Sequence, residues 1–133
     1  MIYILDDDKS VCNAMRRLIQ ANGLEAETYH KAEDVLTQAA FAPGDALLAD
    51  VTMSGMGGIE LKRVLNGCGI EVPVIFITAD DSESRREESR QVGAAGYFRK
   101  PIDDMALLDA IKFAIGKAVQ QEVTGTRVIP PAH

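Results

Sequence analysis

Four short apolar runs punctuate the chain, at residues 2–5, 46–49, 72–77 and 94–98. They are nearly continuous, as strands buried on both faces of a parallel sheet are, and too short to be buried helices. A fifth extended stretch alternates instead, with Leu24, Ala26 and Thr28 opposed to Glu25, Glu27 and Tyr29, the pattern of a half-exposed edge strand. Between these runs lie stretches of helical period. Val11, Met15, Leu18 and Ile19 form one stripe, closed by Asn22-Gly23. Leu61, Val64, Leu65 and Cys68 form another, ended by Gly67 and Gly69, and Val35, Leu36 and Ala39 mark a shorter one. Leu107, Leu108, Ile111 and Ile115 mark the last helix. Residues 82–91 depart from this pattern: Arg85, Arg86, Glu87, Glu88 and Arg90 leave almost no apolar stripe, and only Val92 offers an anchor. Such a helix is marginal or serves another partner.

Strand and helix thus alternate five times, which predicts an open, doubly wound α/β sheet whose ligands bind outside the carboxyl ends of the strands. Composition narrows the classes further. At 133 residues the chain suits one domain, and 47% hydrophobic against 26% charged is the balance of an ordinary globule. No run reaches the roughly 18–20 apolar residues that span a bilayer, and the N-terminus has no signal-peptide shape, so a cytoplasmic protein is expected. A net charge of -6 argues against nucleic-acid binding by this domain itself. Cys12 and Cys68 have no metal-ligand spacing and are expected as buried small hydrophobes; His30 and His133 are expected at the surface.

The strand-end rule turns this outline into a site. Asp6, Asp7 and Asp8 end the first strand, Asp50 the third and Thr78 the fourth, and Lys100 follows the fifth. Crowded carboxylates repel each other, and a hard divalent cation such as Mg²⁺, which takes one or two carboxylates and keeps several waters, resolves the conflict. Asp6, Asp7 and Asp50 with one Mg²⁺ and Lys100 come to neutrality. Asp8 has a second use, as the cap of the first helix. A carboxylate nucleophile beside a metal, a hydroxyl and an ammonium suits phosphoryl transfer to Asp, and Asp50, alone at its strand end, is the natural acceptor.

The segments "ILDDD", "LLADVTMSGMGGIEL", "VPVIFITAD" and "GAAGYFRKP" together resemble the receiver domain of bacterial two-component response regulators, with an especially close likeness to receivers of the nitrogen-fixation transcription-regulator type. The resemblance covers residues 1–120 and leaves 121–133 as a linker or tail. It implies a flavodoxin-like, five-stranded parallel sheet in the order 2-1-3-4-5 with five helices. It implies phosphorylation at Asp50 by a sensor histidine kinase or His-phosphotransfer protein, with Mg²⁺ held by Asp6, Asp7, Asp50 and the carbonyl of Thr52. Thr78, the following Ala79, and Lys100 would bind the phosphoryl oxygens, and Tyr97 would be the switch aromatic. Lys100-Pro101 would carry a cis peptide bond, while Thr52 and Asp80 would flank the attacking water and tune the lifetime. The switched outer face would control an output domain or partner and allows a phosphorylation-dependent dimer. Such a protein catalyses its own modification only and is not an enzyme in the usual sense.

Three positions depart from that pattern. Ser54 stands where a Pro is usual, so the loop from Asp50 to Gly58 is expected to be looser, and Lys31 replaces a Ser helix cap against the helix dipole. The third is the polar fourth helix, expected to be the least protected of the domain. Two other readings stay open: an Asp-nucleophile phosphohydrolase, disfavoured by Thr52 where a second acid is wanted, and a pseudo-receiver that binds partners without gaining phosphate. "GMGG" at residues 55–58 fits neither the dinucleotide nor the P-loop spacing and suits a strand-to-helix turn.

Overall fold

The computed structural model describes residues 1–127, and their side chains as far as residue 116. Elements alternate throughout: β1 Ile2–Leu5, α1 Lys9–Ala21, β2 Ala26–Tyr29, α2 Ala32–Gln38, β3 Ala46–Asp50, α3 Gly58–Gly67, β4 Val74–Thr78, α4 Glu83–Gln91, β5 Gly96–Arg99 and α5 Asp104–Arg127. The strands form one sheet in the order β2-β1-β3-β4-β5, and every neighbouring pair is parallel. Strands β1, β3 and β4 are buried along their whole length, which explains their unbroken apolar runs.

Successive side chains of these central strands point to opposite faces and build two cores. Tyr3, Leu5, Leu47, Ala49, Val74 and Phe76 pack with Val35 of α2 and with Leu61 and Leu65 of α3. Ile2, Ile4, Leu48, Ile75 and Ile77 pack with Cys12, Met15 and Ile19 of α1 and with Leu107 and Ile111 of α5. Asp8 caps α1 as expected, its carboxylate accepting from the amides of Ser10 and Val11. Lys31 precedes α2 and provides no side-chain cap.

Several boundaries and faces differ from the sequence reading. The fourth strand starts at Val74, after Pro73, which has no amide for a sheet ladder. The fifth starts at Gly96, because the Ala94 amide closes α4 on the Ser89 carbonyl. As the edge strand, β5 is only half-buried, unlike the central strands. Tyr29 of β2 is buried although it shares a phase with Glu25 and Glu27, because that face meets Tyr3 with ring centroids 6.1 Å apart. Cys68 is exposed, since it lies beyond α3 as its C-cap rather than on the buried stripe, and Val64 is 36% exposed. The polar stretch does form a helix, α4, capped by Ser82 and burying only Ser89 within its span. Helix α5 runs to Arg127, so regular structure reaches into the stretch read as a linker or tail; His133 lies outside the described residues.

Candidate functional site

Register places the strand-end residues before any side chain is considered. Leu5 pairs with Ala49, so Asp6 emerges beside Asp50; Asp50 pairs with Ile77, so Thr78 ends one step further along the neighbouring strand. Thr78 pairs in turn with Arg99, which delivers Lys100 to the same rim. Three strand ends and one loop thus converge without any long-range coincidence of side chains.

The carboxylates of Asp6, Asp7 and Asp50 each offer an oxygen, and these atoms lie within 4.8 Å of one another. Asp6 and Asp50 are buried and Asp7 is exposed. Lys100 Nζ donates to Asp6 Oδ2 at 2.9 Å and stands 3.5 Å from Asp50 Oδ2. The second oxygen of Asp6 accepts from the Asp8 amide at 2.9 Å, and Asp50 Oδ1 accepts from the Thr52 amide at 3.0 Å. Burial pushes the Asp50 carboxyl above its ordinary range; the Thr52 amide opposes this, and the charge of Asp6 adds to it. Burial works against the Lys100 ammonium too, but its bond to Asp6 and the field of Asp50 outweigh it and raise its pKa. One ammonium therefore neutralises only part of a cluster of three carboxylates. An all-oxygen donor set with that surplus fits a hard divalent cation and lacks the thiolate and imidazole ligands that softer metals favour.

Thr78 is fully buried, and its hydroxyl accepts from the Asp80 amide at 3.0 Å and lies 3.5 Å from the Thr52 hydroxyl. Ala79 follows it at the exposed rim. The Lys100–Pro101 peptide bond is cis. Tyr97 lies further along the same edge, half-buried, and its hydroxyl donates to Asp81 Oδ1 at 2.9 Å. The Arg86 guanidinium bonds the same carboxylate and holds its pKa below the usual range.

The loop after Asp50 is packed more closely than its glycines suggest. A Cβ on Gly57 would meet the Val51 carbonyl oxygen at 2.3 Å, and one on Gly58 would meet the Asp50 carbonyl oxygen at 2.8 Å. Those two glycines let α3 begin directly against the end of β3, and Gly55, at φ +87°, makes the turn before them. Ser54, where a Pro was the expected residue, keeps an amide that donates to Asp7 Oδ2 across a long 3.4 Å.

Two contacts escaped the sequence reading. His30 is half-buried rather than superficial, with Nδ1 3.0 Å from the Asp6 carbonyl, where Cys12 Sγ also donates at 3.3 Å. Burial, followed by the charge of Asp6, raises the Cys12 thiol to about 11, so it stays protonated behind the site. Arg85 of α4 reaches across the site's mouth: its Nη1 donates to Thr52 Oγ1 at 2.9 Å and to the Asp80 carbonyl at 2.7 Å, and lies 3.1 Å from Asp80 Oδ2. The available signal was its place in the first turn after Ser82, since helices following parallel strands begin at the ligand-binding end of the sheet.

A parallel doubly wound sheet that gathers acids, a hydroxyl and a lysine at its carboxyl ends defines the class of α/β domains whose ligands bind at the carboxyl ends of the strands. Residues 2–112 match the model of the response regulator receiver domain, and the chain belongs to that family. It is 34% identical over 128 residues to the response regulator protein TodT of Pseudomonas putida, covering 96% of this chain and 56% of TodT. It is 28% identical over 120 residues to the transcriptional regulatory protein FixJ of Azorhizobium caulinodans, covering 90% of this chain and 57% of FixJ. The solved structure of the response regulator StyR superimposes with a TM-score of 0.86 at 30% identity, over 94% of this chain and 63% of StyR. This is a receiver domain of two-component response regulators, and it spans little more than half the length of these curated relatives. No described helix is long and apolar enough to cross a membrane.

Proposed function

We propose that Asp50 accepts a phosphoryl group from the phosphohistidine of a sensor kinase or phosphotransfer protein. The observation that carries this is the setting of its carboxylate: buried, with Oδ1 fixed by the Thr52 amide and Oδ2 facing Lys100. A carboxylate oxygen of Asp50 attacks phosphorus, the nitrogen–phosphorus bond breaks, and its electron pair returns to the donor imidazole. Asp6, Asp7 and Asp50, with the carbonyl of Thr52, would hold Mg²⁺, which supplies positive charge beside the transferring group. Lys100 supplies the protein's own cation, already charged and already aimed at Asp50. The Thr78 hydroxyl and Ala79 amide lie beyond Asp50 on the neighbouring strand end and suit binding of phosphoryl oxygens.

The readout runs through the β4–α4 connection. Drawing the Thr78 hydroxyl toward a phosphoryl group would disturb its bond from the Asp80 amide, next to Asp81, which holds the Tyr97 hydroxyl. Tyr97 would follow, and the face formed by α4 and β5 would change for an output domain or a partner. We place this protein in the cytoplasm, where sensor kinases present their phosphohistidine.

Exposure to a small phosphodonor, read by intact mass with and without Mg²⁺, tests the assignment. Wild type should gain one phosphoryl group only with Mg²⁺, and Asp50→Asn, folded, should gain none. Undiminished labelling of Asp50→Asn would show that the acceptor lies elsewhere, and an unlabelled wild type would support a receiver that only binds partners.

A further inference from the structure

Arg85 is turned to the active-site mouth, where besides an ion pair with the exposed Asp80 carboxylate it bonds groups of the site itself, unlike the charged pairs of the rest of α4. Arg86 pairs with Asp81, Arg90 with Glu87, and Glu88 with Arg63 of α3. Arg85 alone among these turns back over the strand ends, and its side chain is 29% exposed against 56% for Arg86 and 71% for Arg90. One of its nitrogens occupies both the Thr52 hydroxyl oxygen and the Asp80 carbonyl, and the Asp80 carboxylate is close enough to share it.

The chemistry of those partners gives the contact a consequence. Loss of the phosphoryl group requires a water to attack phosphorus opposite the Asp50 oxygen. The water oxygen forms the new bond to phosphorus, the bond from phosphorus to Asp50 breaks with its electron pair returning to the carboxylate, and the water's protons leave with inorganic phosphate. An attacking water must donate its hydrogens to nearby acceptors to be aimed, and Thr52 Oγ1 and the oxygens of Asp80 are acceptors at the mouth of the site, beside Thr78. A guanidinium only donates and does not lose its proton, so it cannot take the place of those acceptors toward water.

We propose that Arg85 is a positioning residue that prolongs the phosphorylated state by occupying the acceptors that would orient the attacking water. This rests on Asp50 being the phosphoacceptor and goes beyond it, because it gives α4 a direct hand in the lifetime of the signal. The helix that would respond to phosphorylation also carries the side chain that guards it.

The test is the decay of the phosphorylated full chain, prepared with a small phosphodonor and Mg²⁺ and followed after donor removal, with melting temperatures to confirm folding. Arg85→Ala should decay faster by about twofold to tenfold, the span that one net hydrogen bond produces. Arg85→Lys, whose ammonium still donates to the same acceptors, should fall between wild type and Arg85→Ala. In a Thr52→Ala background the acceleration by Arg85→Ala should shrink, a non-additivity that a merely structural role would not create. Decay of Arg85→Ala equal to or slower than wild type would overturn the proposal, as would an undiminished acceleration in the Thr52→Ala background. Wild type that fails to label at Asp50 would instead overturn the acceptor assignment.

Discussion

Helices α1 and α4 enter the sheet at the same end, yet they are held by different physics. Helix α1 buries Cys12, Met15 and Ile19 against β1, β3 and α5, and its first turn is capped by Asp8, the residue after Asp6 and Asp7. Helix α4 buries only Ser89 within its span and leans on Val92 at its end; its other side-chain contacts are polar, the exposed pairs of Glu88 and Arg90, the Arg86 pair with Asp81 and the hydrogen bonds of Arg85. Burial of an apolar side chain stabilises by roughly 1.5–3 kcal/mol, whereas an exposed ion pair contributes about 0–1 kcal/mol. One flank of Asp50 is therefore fixed, with Asp6 and Lys100 locked together, and the other is adjustable, with Thr52, Asp80 and Arg85 joined by exposed hydrogen bonds. A switch needs both: a rigid cradle for the phosphoryl group and a weakly held element that a coupling of about 1–3 kcal/mol moves.

The largest expected effect that tests this contrast is on stability. Ile19→Ala, at a position with 0% exposure, should cost about 2–5 kcal/mol in urea unfolding. Arg90→Ala, which breaks an exposed pair on α4, should stay within about 0.5 kcal/mol. Equal losses would break the comparison.

A smaller effect sharpens it on the fixed side. Burial raises the Asp50 pKa, so the folded state binds this proton more tightly than the unfolded chain does. In chelator, stability should then fall as pH rises from the ordinary carboxylate value of 3.8 through the raised folded value. Asp50→Asn removes that fall: its metal-free melting temperature should match wild type below the window and exceed it modestly above. A variant that melts below wild type at neutral pH in chelator would mean that the bond to Lys100 outweighs the cost of burial.

Fold and site were legible in the sequence to unequal depth. The central strands could be read because a strand covered on both faces is apolar at every position, and the site followed because strand ends in such sheets converge. Register sets Asp6, Asp50, Thr78 and Lys100 at neighbouring strand ends, and Lys100 reaches both Asp6 and Asp50. What periodicity could not supply was which faces later elements cover: Tyr29 is buried by Tyr3 and its surroundings, while Cys68 drops off the end of α3 into solvent. Close approach was equally hidden, since Gly57 and Gly58 looked like flexibility and are the places where α3 packs against β3. Arg85 was missed because its reach, rather than its spacing, brings it to Thr52.

Hydrogen exchange of α1 and α4, read by mass spectrometry before and after phosphorylation, tests most directly the claim that the phosphoryl group is held on a fixed flank and read on an adjustable one. Before phosphorylation, amides of residues 83–91 should exchange faster than those of residues 9–21, and phosphorylation should slow the first set while leaving the second unchanged. Equal protection of the two helices in both states would contradict the account and would make α4 ordinary scaffold.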